Sequence, residues 1–158
     1  MIKPIVSNIN ELHKPCALIE PKEDVAQIII DLKDTLATKK GYALAANQIG
    51  INKCICYLKV PKNQDPKTKE IIYEEFVAIN PIIIEKSRKI LLKQEGCLSF
   101  PGVRIDTDRY VFCIVEYEDE KRQKHTVIAQ DLISFVWQHE CSHLKGRIIF
   151  DDKHKRSR

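Results

Sequence analysis

Val25, Ile28, Ile29, Leu32 and Leu36 recur at helical spacing, which predicts an amphipathic helix from Glu23 to about Thr38. Gly41 shortly afterwards supplies a stop. From Ile51 to Val60 the pattern becomes a dense apolar run of strand length. Pro61 to Lys69 is polar and carries two prolines, so a connection is expected there. Strand-like stretches follow at Ile71–Ile79, Ile82–Ile84, Lys89–Leu92, Tyr110–Tyr117 and Lys124–Ala129, the last two joined by a charged turn around Asp119. A second helix is predicted from about Leu132 to Lys145, with Asp131 as N-cap and Gly146 just past its end. Runs of strands with only two helices point to an α+β domain, mostly antiparallel strands packed around the second helix, with the amphipathic helix N-terminal.

Composition narrows the class. At 158 residues, 44% hydrophobic and 30% charged, the chain fits one globular domain over 1–158 and excludes a disordered protein. No run approaches the ~18 apolar residues of a membrane span, and Met1–Ser7 leads into no apolar signal core. A cytoplasmic protein is expected. The net charge of +4 is densest in a short basic tail from about 152, Lys153 to Arg158. No aromatic side chains interleave with it, so a solvated end is expected and not a nucleic-acid footprint. Six scattered cysteines do not read as a disulfide framework. Cys54 and Cys56 lie two apart in a predicted strand, share a face and read as core packing.

The sharpest chemical signal is His139-Glu140-Cys141-Ser142-His143 on the second helix. Histidines four apart lie on one helix face and can reach one metal ion, with Glu140 beside it to take a proton from water. A catalytic site needs a third protein ligand and one open position. The metzincin position is Ile149, and no Glu follows Glu140 to serve as a downstream ligand. Asp151 and Asp152 remain, but an acidic pair so close behind a helix end is expected to face water. Cys141 sits about 200° around the helix from His139. Cys97 is the better candidate, flanked by glycines that let backbone approach an ion.

Three segments together resemble the motifs of peptide deformylases: Gly41-Tyr42-Ala43-Leu44-Ala45-Ala46-Asn47-Gln48-Ile49-Gly50, Glu95-Gly96-Cys97-Leu98-Ser99, and Gln138-His139-Glu140-Cys141-Ser142-His143-Leu144-Lys145-Gly146. Asn80-Pro81 matches a further pair, and the likeness runs from the first helix to Asp151. The resemblance implies that Cys97, His139 and His143 hold one divalent metal ion, Fe2+ natively, with Zn2+, Ni2+ or Co2+ able to replace it. It implies formyl-methionyl nascent peptides as substrate, with formate released. Glu140 would carry the water proton to the leaving amine, and the Gln48 amide with the Leu98 N–H would stabilise the oxyanion. The Gly96 carbonyl and the backbone at Gly41, Tyr42 and Ala43 would take the substrate as an added strand. Leu132, Phe135 and Val136 precede His139 on the ligand face and would form the methionine pocket as well as core. Trp137 points elsewhere and is expected to pack in the core or on the surface.

The chain departs from the family's pattern at Ala43, commonly Gly; at Asn47, usually Pro; and at Ser142, usually Asp, which removes a charge behind the metal ligands. It also ends soon after the third motif, where many bacterial members continue into a helix associated with the ribosome. A trimmed member, such as a phage or small genome would carry, is the expectation, with transient ribosome contact as its partner interaction. A zinc peptidase lacks its downstream ligand in this sequence. A structural zinc staple lacks its fourth, and would leave Gln48 and Glu140 without a purpose.

Overall fold

The computed structural model describes residues 1–155. In chain order its elements are α1 (Ile9–Leu12), α2 (Ala26–Ala37), β1 (Ala43–Ala45), a 3-10 turn (Ala46–Ile49), β2 (Ile55–Gln64), β3 (Ile71–Lys86), β4 (Lys89–Glu95), β5 (Ile105–Tyr110), β6 (Phe112–Glu118), β7 (Lys124–Gln130) and α3 (Asp131–Leu144). An antiparallel sheet runs β1-β2-β3-β6-β7, and β4 pairs with β5 in a separate two-stranded sheet. The predicted α+β class and its antiparallel character hold.

The dense apolar run of β2 is explained by burial on both faces. Cys56, Leu58 and Val60 point towards α3, where they meet Phe76, Ala78, Val115 and Trp137. Ile55 and Tyr57, on the opposite face, join Leu44 and the α2 residues Ile29, Leu32 and Leu36. The sheet is thus sandwiched between two helices at its β1–β2 end, and α3 lies against the face that carries the site. Trp137 is fully buried between Phe76 and Tyr117, with ring centroids 5.2 and 5.3 Å away. Cys56 is core and Cys54 packs against it, as the sequence implied.

Several boundaries differ from expectation for identifiable reasons. The polar connection is shorter than predicted, because β2 continues through Pro61 to Gln64 by shifting its register between Pro61 and Asn63. The two stretches expected at 71–79 and 82–84 form a single strand, β3. Asn80 inside it takes a left-handed φ of 49° and binds the backbone of Ile19 through both amide atoms. The apolar pattern does not predict strands β1 and β5; β5 turns Thr107 and Arg109 inward, where a strand normally shows apolar residues.

Asp131 is not a side-chain cap. Strand β7 enters α3 with no intervening loop, so Asp131 makes the turn itself at φ 51° and gives its N–H to the Val111 carbonyl. Gly146 closes α3 as expected, at φ 75°. The tail expected to be solvated from 152 is tied to β5 over 152–154, with Lys153 the exposed residue of the three. Lys153 bridges Thr107 of β5, and the His154 N–H bonds the Asp106 carbonyl at 2.7 Å. Arg156, Ser157 and Arg158 lie outside the described residues.

Candidate active site

Helix α3 presents His139 and His143 one turn apart, and the β4–β5 connection carries Cys97 up to them. The three ligand atoms all lie within 4.8 Å of one another. His143 Nε2 is 3.1 Å from His139 Nε2 and 3.3 Å from Cys97 Sγ. Two imidazole nitrogens this close can share only one proton, so a cation between them suits the arrangement. Two nitrogen donors and one sulfur donor suit a transition-metal ion or zinc. Electrostatics agree. Burial opposes charge on His139, yet hydrogen bonds to Cys97 and Glu95 lift its pKa to about 10, the mark of a site that draws positive charge. Burial and the neighbouring His139 hold His143 well below the usual imidazole range.

Glu140 is 3% exposed, and its Oε2 is buried without a hydrogen-bond partner. Burial raises its pKa to about 7. Gln48 is equally buried. Its Oε1 accepts the Ala45 N–H at 3.0 Å, which fixes the amide's orientation and turns Nε2 towards Ser99 Oγ at 3.1 Å and Cys97 Sγ at 3.6 Å.

A cleft of about 1260 Å³ opens over this cluster. Its walls bring together Gly41, Tyr42, Ala43, Gln48, Gly96, Cys97, Leu98, Leu132, Phe135, Val136, His139 and Glu140, so of the residues given a catalytic, substrate or metal role from sequence only the buried His143 does not border it. The Tyr42 carbonyl accepts the Lys59 N–H at 2.6 Å. The Ala43 side chain belongs to the core cluster facing α3. The Arg104 guanidinium lies directly over the Cα of Gly96, where a Cβ would displace the end of that flexible side chain. Asn47 also has a local task, donating to the His143 carbonyl at 2.8 Å and tying the 3-10 turn to the end of α3.

The sequence matches the family model described as polypeptide deformylase over residues 2–158. The chain belongs to the polypeptide deformylase family. Peptide deformylase 1 of Nostoc sp. is 37% identical over 141 residues, covering 89% of this chain and 72% of that protein. The peptide deformylase of Aquifex aeolicus is 36% identical over 158 residues, covering 98% and 89%. Among solved structures, the peptide deformylase of Ehrlichia chaffeensis in complex with actinonin superposes with a TM-score of 0.84, at 29% identity and 98% and 90% coverage. The deformylase reaction, hydrolysis of the formyl amide on an N-terminal formyl-methionine, is the activity of this chain.

Sequence reasoning passed over the deformylase's polar support. Arg109, 4% exposed, grips Glu95 with Nε at 2.9 Å and Nη2 at 2.7 Å, and reaches Asp152 with Nη1 at 3.0 Å. Glu95 Oε2 in turn lies 3.5 Å from His139 Nδ1. Burial opposes ionisation of Glu95, but its bonds to His139 and Arg109 bring its pKa down to about 2. The missed signal was an arginine at an inward position of β5. Asp152, expected to face water, is bonded to Arg109, Ser142 and Arg147 and is not free to be the downstream ligand a peptidase would need.

Proposed function

We propose that Cys97, His139 and His143 hold the deformylase's metal, with ferrous iron as the native ion and zinc, nickel or cobalt as substitutes, and that Glu140 moves the protons. A divalent ion held there would supply Lewis acidity towards water and the formyl oxygen. Glu140 takes a proton from the attacking water as its oxygen adds to the formyl carbon. The Gln48 amide and the Leu98 N–H receive the negative charge that develops on the formyl oxygen. Glu140 then delivers the proton to the amine nitrogen, the C–N bond breaks, and formate leaves with a free N-terminus. Leu132, Phe135 and Val136 surround the methionine side chain, and the backbone near Gly41, Ala43 and Gly96 aligns the peptide. The whole chain acts as one catalytic unit on nascent peptides in the cytoplasm, in transient contact with the ribosome.

The observation that carries this reading is the Glu140 carboxylate: buried, unpartnered, bordering the cleft and next in sequence to a ligand. An unpartnered buried carboxylate is costly and has no place in a metal staple. The test is an anaerobic assay of formate release from a formyl-Met peptide, with metal content measured on the same sample. Glu140→Ala should keep stoichiometric metal and lose ~10²–10⁴ of turnover. Near-normal turnover in a metal-loaded Glu140→Ala protein would sink the assignment.

A further inference from the structure

We propose that Asp152 is a positioning residue for the ligand His139, acting through Arg109 and Glu95. The inference rests on the metal reading above. A buried guanidinium needs its donors satisfied, and an unpaired one is strongly destabilising. Glu95 takes one donor each from Nε and Nη2 of Arg109, and Nη1 meets only Asp152 among the described residues, at 3.0 Å. The Glu95 oxygen held by Arg109 Nη2 is the same Oε2 that faces His139 Nδ1. Where the Asp152 carboxylate sits therefore sets where Arg109 sits, which sets Glu95 and the imidazole beyond it. Partners of this kind fix the ring and basicity of a ligating histidine.

Asp152 is itself held from several directions. The bridge from Lys153 to Thr107 and the bond from the His154 N–H to the Asp106 carbonyl lay this segment along β5. His154 Nδ1 meets Asp108 Oδ1 at 2.7 Å. Ser142 Oγ donates to Asp152 Oδ2 at 2.9 Å, and Arg147 caps the other oxygen at 2.6 Å. Ser142, at the position where the motif's usual residue is Asp, is neutral. Its hydroxyl bonds the very carboxylate oxygen that Arg109 uses. In this chain the carboxylate at this point behind the ligand helix thus comes from the segment after the helix, not from the helix itself.

This placement gives a specific test. In the holoprotein, Asp152→Asn should release metal to a chelator roughly 10–100-fold faster and lower kcat with little change in KM. Adding Ser142→Asp to Asp152→Asn should restore most of both losses by putting the charge on the helix. Metal release at the unaltered protein's rate in Asp152→Asn would overturn the proposal. So would a loss that tracks only a lower melting temperature of the metal-free protein and is not restored by Ser142→Asp. If Asp152→Asn fails to fold, the Ser142→Asp/Asp152→Asn protein decides: normal metal retention supports the proposal and rapid release refutes it. Metal content and formate release of the unaltered protein test the metal reading separately.

Discussion

Gln48, in the proposed mechanism, is a buried amide held ready for a charge that exists only transiently. With Oε1 committed to the Ala45 N–H, its amide nitrogen cannot turn away from the Cys97–Ser99 side. Gln48→Leu should therefore keep its metal while kcat falls by ~10²–10³, because the donor acts mainly on the transition state. Single-turnover kinetics alongside metal analysis would check this; an unchanged kcat would mean that the amide does not face the developing charge. Asn47 next to it works differently. Its donation to the His143 carbonyl supports the end of α3, and no substrate atom is needed to explain it.

At the scale of elements, α3 carries both proposed histidine ligands and is the pillar of the core. Its ligand face holds His139 and His143, and Trp137 fills the space between Phe76 and Tyr117 on the sheet side. Trp137→Ala should cost ~3–5 kcal/mol of stability, read as a lower urea midpoint by circular dichroism. A loss below about 1 kcal/mol would mean that the surrounding core can collapse around the gap. This helix was legible in the sequence because its apolar spacing, the His pair and the closing Gly146 all agreed. α2 was legible from its apolar spacing. β5 was not, because its inward positions are the polar Thr107 and Arg109, and Arg109 finds its partners in Glu95 of the preceding strand and Asp152 beyond α3. The turn at Asp131 was misread because a capping preference assumes a loop before the helix, and here a strand precedes it directly. In the site, the histidine pair with Glu140 between could be read from residue type and spacing, and Cys97 and Gln48 from the resemblance of their motifs. The network behind His139 could not, since it depends on where the segment after Gly146 returns.

For the molecule as a whole, the length of β3 has a consequence for the order in which the enzyme is built. This strand of 16 residues pairs with β2 along its first part and with β6 along its second. The β2–β3 hairpin is local and can form as soon as its residues exist, whereas the β6 pairing must wait for β4 and β5 to be made and set aside. Only then can β7 lead α3 into place. In refolding, amides of the β2–β3 hairpin should gain protection from exchange before the fluorescence of Trp137, the chain's one tryptophan, reaches its native value. Simultaneous acquisition of both signals would count against this order. During vectorial synthesis the growing chain holds Gln48 and Cys97 well before it holds either imidazole. With the proposed ligands, an unfinished polypeptide that lacks both histidines cannot complete a metal site, and competence waits for α3 and the segment behind it.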